Sequence, residues 1–176
     1  IAPMTERKTE GGVIYDFGEI YVGYLLVTAR GKSGDTVTVR CAQELLEDGS
    51  IRYNLRANCT YTEDWILSGG TDTLDWFDYK SFRYAQLIIP DGVEIIDCAL
   101  LSRHYPFTLR TDLKPQYRGN EKIEKIWRLA VNSQKYGAQE AILDCMEREK
   151  GFYVGDGCYP FLAHSILTGE DDIARK

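Results

Sequence analysis

The chain has 176 residues, of which 44% are hydrophobic and 27% charged, a composition that excludes disordered, fibrous and collagen-like classes. Its 21 Lys and Arg against 27 Asp and Glu leave a net charge of −6, which argues against a nucleic-acid groove or a polybasic membrane contact. No apolar run approaches the ~18 residues needed to cross a bilayer.

The length suits one domain, or one domain with a piece of a second. The opening Ile1-Ala2-Pro3-Met4 carries no basic-then-apolar leader and is expected to be an interior cut, so the compartment is not legible there. Stretches rich in β-branched and aromatic residues follow. Val13–Phe17, Tyr21–Arg30, Thr36–Gln43, Thr60–Leu67, Ser81–Ile89 and Val93–Leu101 each read as a strand. Thr36-Val37-Thr38-Val39-Arg40 alternates polar and apolar, which predicts a sheet with one wet face; Phe82-Arg83-Tyr84-Ala85-Gln86-Leu87 behaves similarly. The strands are punctuated by Gly31 to Asp35, Asp48-Gly49, Ser68-Gly69-Gly70 and Pro90-Asp91-Gly92. Strands and turns at this spacing predict an antiparallel sandwich or jelly roll.

After Pro115 the period changes. Asn120 is a good N-cap, and Ile123, Ile126, Trp127, Ala130 and Val131 form one apolar stripe on a helix to about Tyr136, ended by Gly137. A polar, glycine-containing stretch from Asp144 to Gly157 precedes a second helix over Pro160–Thr168, with Gly169 as its C′ residue. Two helices with one stripe each cannot enclose a core. The segment is therefore expected to be a fragment, or to be covered by a partner.

Five cysteines (Cys41, Cys59, Cys98, Cys145, Cys158) at irregular spacings read as small buried hydrophobes, not a disulfide framework or zinc site. The two histidines, His104 and His164, read as packed or surface residues. Asn58-Cys59-Thr60 matches a glycosylation sequon, with an ordinary strand edge the favoured reading. Trp65, Trp76 and Trp127 read as core.

One stretch has the residues for chemistry: Asp144, Glu147, Arg148, Glu149, Lys150, Phe152, Tyr153 and Asp156, interleaved with glycines. Carboxylates hold sugar hydroxyls, aromatics offer a flat face to a pyranose, and a shielded carboxyl can stay protonated as a general acid. From composition alone the favoured reading is a solvated charged loop. Calcium ligation is disfavoured, because the D-x-D-x-D-G spacing is absent.

The same stretch resembles the bacterial α-L-rhamnosidase pattern, Asp-Cys-Pro-x-Arg-(Asp)-Glu, an aromatic-containing run, then Gly-Asp. Asp144-Cys145, Arg148, Glu149, Tyr153 and Gly155-Asp156 fall in matching places. Asn120 through Gln134 resembles the family's preceding helix. Tyr15-Asp16-Phe17-Gly18, Val22-Gly23-Tyr24 and Phe82-Arg83-Tyr84 resemble its concanavalin-like sandwich. The resemblance runs from about residue 13 to 174. It implies a mainly β protein: an accessory sandwich over residues 1–112, then residues 113–176 as the first helices of an (α/α)6 glycosidase domain.

Carried over, the resemblance implies that Glu149 is the general acid, with Glu147 the competing register. Asp144 and Asp156 would bind rhamnose hydroxyls, Arg148 would hold the carboxylates, and Tyr153 would face the sugar. Met146 replaces the usual proline, and Lys150 stands where some members have an acid. The implied activity is removal of terminal α-L-rhamnose with inversion, needing no cofactor and no metal. The implied partners are a rhamnose-containing glycoside and the remainder of the catalytic domain, with no nucleic acid or membrane. An inverting enzyme needs a second carboxylate roughly 6.5–9.5 Å from the acid. Nothing after residue 157 resembles that base, so the 176-residue chain alone is expected to be inactive. The alternatives are a non-catalytic carbohydrate-binding or structural module, and a six-hairpin glycosidase for another sugar.

Overall fold

The structure, a computed structural model, describes residues 1–113 and 119–175. The change of period placed after Pro115 begins outside the described residues. The chain divides into two compact units, Ile1–Arg103 and His104–Lys176.

The first unit contains β1 (Thr5–Thr9), β2 (Gly12–Gly31), β3 (Thr36–Ala42), β4 (Thr62–Ile66), β5 (Gly70–Thr73), β6 (Lys80–Ile88) and β7 (Glu94–Ser102). Hydrogen bonds order the strands β1-β2-β6-β3-β4, while β5 and β7 pair with β2. All these pairings are antiparallel. The architecture follows from β2. Its first half, from Gly12 to Asp16, lies between β1 and β6; its second half, from Gly23 to Gly31, pairs with β7 and β5. One strand thus serves both layers of a sandwich.

The passage between layers occurs where the β2–β6 register shifts, between Asp16 and Tyr21. Gly18 takes φ +86° there, a conformation open to glycine, and its N–H donates to Asp16 Oδ1 at 2.7 Å. Gly23 lies opposite both Lys80 of β6 and Ser102 of β7. A Cβ at that crossing would come within 2.0 Å of the Leu101 carbonyl oxygen, so a side chain does not fit.

Two of the expected strands, Val13–Phe17 and Tyr21–Arg30, are therefore one. Two further strands, β1 and β5, have sequences TERKT and GTDT with no apolar alternation. They are edges held by main-chain bonds to β2. Elsewhere the alternation reads correctly: Val37 and Val39 are buried, while Thr36, Thr38 and Arg40 are not. The core collects Phe17, Leu25, Val27, Val37, Val39, Phe82, Leu87 and Leu100, with Trp65 and Trp76 packed against it. Phe17 and Phe82 meet edge to face, centroids 5.9 Å apart. Burial of each such side chain contributes ~1.5–3 kcal/mol.

The second unit contains α1 (Glu121–Gly137), α2 (Val154–Thr168) and a 3-10 turn over Asp172–Arg175. Asn120 caps α1 as expected, its side chain accepting from the N–H groups of Lys122 and Ile123. The stripe is largely open, as expected of two helices that cannot enclose a core: Ile123, Ile126 and Ala130 are exposed, Trp127 and Val131 are part-buried, Leu129 beside them is exposed too, and burial on α1 is confined to Tyr136 and Gly137. Helix α2 starts at Val154, not at Pro160. At the first helical position a proline's missing N–H is harmless, but Pro160 stands inside the helix and leaves the Asp156 carbonyl without its usual donor. Gln134 of α1 reaches across to it, donating from Nε2 to the Pro160 carbonyl at 2.9 Å. Gly169 closes α2 in left-handed backbone, φ +79°, its N–H donating to the Ser165 carbonyl, as expected for C′.

Cys41 and Cys98 fit the reading as buried hydrophobes, whereas Cys158 is exposed on α2. Burial pushes the Cys98 thiol up to about 12, so it behaves as an inert core group.

Candidate functional site

The acidic stretch is carried by a buried anchor. After α1, Ala138 pairs with Ile142, and Leu143 N–H donates to the Gly137 carbonyl at 2.9 Å. Ala138, Ile142 and Ile173 are buried together, with Tyr105 and Phe161 packed on them. Gln139, also buried, donates from Nε2 to the Tyr136 carbonyl. This apolar knot fixes the backbone immediately before Asp144.

From Asp144 the chain turns back on itself. Asp144 N–H donates to the Gly151 carbonyl at 3.0 Å, and Gly151 N–H donates to Asp144 Oδ1 at 2.8 Å. Closing so tight a loop requires Lys150 in left-handed backbone, φ +50°, a costly conformation for a side-chain-bearing residue. Inside the loop, Glu149 N–H donates to Cys145 Sγ at 3.3 Å. One carboxylate oxygen each of Asp144 and Glu149, and the Cys145 sulfur, lie within 4.8 Å of one another.

Partial burial alone would raise the Asp144 carboxyl. Hydrogen bonds from the Glu149 carboxyl, the Cys145 and Gly151 amides and the Cys145 thiol outweigh it and hold Asp144 below the usual carboxylate range. Arg148 forms an ion pair with Glu149.

Asp144, Glu149 and Arg148 are thus joined in one hydrogen-bonded group. Tyr153 and Asp156 are placed differently. Tyr153 is the N-cap residue of α2, half-exposed and without a side-chain capping bond, and Asp156 is in the first turn of that helix, exposed. The expected loop from Asp144 to Gly157 is therefore a loop only to Tyr153. Lys150 and Cys145, to which the sequence assigns no loop-shaping role, are the residues that shape it. Their signal is faint: an Asp-Cys pair and a Lys-Gly pair six residues apart at the ends of one loop.

The family whose sequence pattern matches residues 6–93 is the bacterial alpha-L-rhamnosidase concanavalin-like domain. No curated protein matches this chain. Among solved structures, the chain is similar to a GH78 family rhamnosidase of Bacillus sp. GL1, with a TM-score of 0.80 and 17% identity over 92% of this chain and 17% of that one. It is also similar to a rhamnosidase from Klebsiella oxytoca with rhamnose bound, with a TM-score of 0.71 and 17% identity over 98% of this chain and 36% of that one. A third is the Streptomyces avermitilis alpha-L-rhamnosidase complexed with L-rhamnose, with a TM-score of 0.64 and 22% identity over 85% of this chain and 15% of that one. At these identities the likeness carries the fold. The chain spans well under two thirds of each of those proteins.

Proposed function

Because the chain belongs to the family of bacterial alpha-L-rhamnosidase concanavalin-like domains, we propose that it forms part of a glycoside hydrolase that removes terminal α-L-rhamnose. In this reading residues 1–112 are the accessory sandwich and residues 113–176 begin an (α/α)6 catalytic domain. The remainder of that domain covers the open stripe of Ile123, Ile126 and Leu129 on α1.

The observation that carries the reading is the Asp144–Glu149 pair at the end of a buried anchor. Asp144 and Glu149 each bring one carboxylate oxygen within 4.8 Å of the other, close enough to divide the work of acid and sugar-binding group at one sugar. Glu149 gives that proton to the glycosidic oxygen as the bond to the anomeric carbon breaks. Asp144 holds a sugar hydroxyl, Arg148 fixes the direction of the Glu149 carboxyl, and Tyr153 and Asp156 meet the sugar from the start of α2. Water attacks the anomeric carbon from the opposite face, its proton taken by a carboxylate to which no residue of this chain is assigned. The 176-residue chain alone is accordingly inactive.

The test is hydrolysis of an aryl α-L-rhamnoside by a longer protein containing this chain, alongside a panel of other aryl glycosides. Turnover of the rhamnoside, with Glu149→Gln lowering kcat by about a hundredfold or more and leaving binding largely intact, is the expected result. Rhamnose binding without turnover, unchanged in Glu149→Gln, would leave a carbohydrate-binding module instead. Turnover of a different glycoside would keep the chemistry and replace the sugar.

A further inference from the structure

We infer that Cys145 is a positioning residue of this site, its thiol seating Glu149 against Asp144; the inference rests on the reading of Glu149 as the acid. The geometry singles out Cys145 in three ways. Its sulfur accepts the Glu149 N–H at 3.3 Å, closing the turn that carries Met146, Glu147 and Arg148. Its thiol donates to the Asp144 carboxylate and its own N–H does the same. Its sulfur stands within 4.8 Å of oxygens from both acids. Residue 145 is therefore bonded to the backbone of one acid and the side chain of the other.

The chemistry suits a thiol. Sulfur is a weak donor and a weak acceptor, and its long bond to Cβ lets it reach both partners from one rotamer. A methyl group at this position makes neither bond. A hydroxyl makes both bonds in principle, but sits closer to the backbone and reaches each less well. The next residue, Lys150, is held in left-handed conformation by the return to Asp144. Losing the sulfur removes the bond that holds the Glu149 N–H, so the Glu149 backbone loosens relative to Asp144 while the main-chain closure at Gly151 persists. Displacements of about 1 Å in a reacting group can cost up to a hundredfold in rate.

The test has two arms. In the full 176-residue chain, amide hydrogen exchange reads the bond directly. Cys145→Ala is expected to speed exchange at the Glu149 N–H by about fivefold or more, with Cys145→Ser intermediate and the amides of α2 unchanged. In the longer rhamnoside-cleaving protein, Cys145→Ala is expected to lower kcat about tenfold with KM altered less than about twofold, and Cys145→Ser to recover most of the loss. Unchanged exchange at Glu149 in Cys145→Ala overturns the inference. So does an unchanged kcat. If Cys145→Ala unfolds the second unit, seen as lost protection throughout α2, the Cys145→Ser arm decides by the same readouts. A longer protein that cleaves no rhamnoside removes the function proposed above, and exchange at Glu149 then decides the positioning contact by itself.

Discussion

Asp16 and Arg83, 67 positions apart in the chain, meet in a two-pronged ion pair, Nε to Oδ1 at 2.7 Å and Nη2 to Oδ2 at 2.8 Å. The adjacent Phe17 and Phe82 pack edge to face beneath it. Tyr15-Asp16-Phe17-Gly18 and Phe82-Arg83-Tyr84, met in the sequence as separate motifs, are therefore two halves of one structural node. It sits where β2 leaves one layer for the other, and Asp16 also holds the Gly18 turn that makes the passage.

The Arg83 hydrogen bonds hold the Asp16 carboxyl below the usual carboxylate range. A depressed folded value stabilises the native state above the unfolded carboxyl's pKa of ~3.9, and this contribution is lost as pH falls through the folded value. Asp16→Asn is expected to lower stability near pH 7 by about 1 kcal/mol, less than a buried charged hydrogen bond because the pair is partly solvated. Denaturant melts at pH 7 and pH 3 check this: the gap between wild type and Asn variant should narrow in acid.

His164 is 1% exposed, and among the described residues neither ring nitrogen has a hydrogen-bond partner. Tyr105 and Phe107 meet its ring edge on. Burial lowers its pKa, with Glu170 pulling weakly the other way. Between the folded value and the unfolded value of ~6.5, the unfolded chain binds the proton and the native chain does not, so stability falls as pH drops through that window. His164→Phe should remove this dependence. Amide protection in α2 at pH 7.5 and pH 5 measures it, and an equal loss in both proteins would be evidence against it.

Lys80 lies almost wholly inside the sandwich, its side chain 4% exposed, paired with Glu63 at 2.6 Å and stacked 4.3 Å from the Trp76 ring centroid. Removing only the acid strands a buried cation, whereas removing the cation leaves Glu63 partly in water. Glu63→Ala is expected to cost about 2–3 kcal/mol and Lys80→Met about 1 kcal/mol or less. Equal costs by urea titration would contradict this ranking.

Lys150 stores local strain that glycine does not. Lys150→Gly is expected to be neutral or to stabilise by up to about 1 kcal/mol, while β-branched Lys150→Val costs about 1–2 kcal/mol. Thermal melts of the two variants at one pH give the comparison, and a destabilised glycine variant would mean that the turn is held by the lysine side chain instead.

Local chemistry made much of this molecule legible. The Thr36–Arg40 alternation, the Asn120 cap and Gly169 each act within a few residues, whereas the acidic stretch from Asp-Cys to Gly-Asp was marked only by its resemblance to a family pattern. Signals of longer range were not legible. The edge strands β1 and β5 have polar sequences and exist because β2 offers them main-chain partners. The early start of α2 overrides a proline signal that by itself marks a helix start.

By itself, then, the sequence determined where the chain alternates and where it caps and turns, because those depend on near neighbours. Only the tertiary structure decided that two strands are one, that Asp16 answers Arg83, and that Glu149 rests on Asp144 while Asp156 rides a helix. Those outcomes come from residues brought together by chain reversals whose geometry no short window of sequence contains.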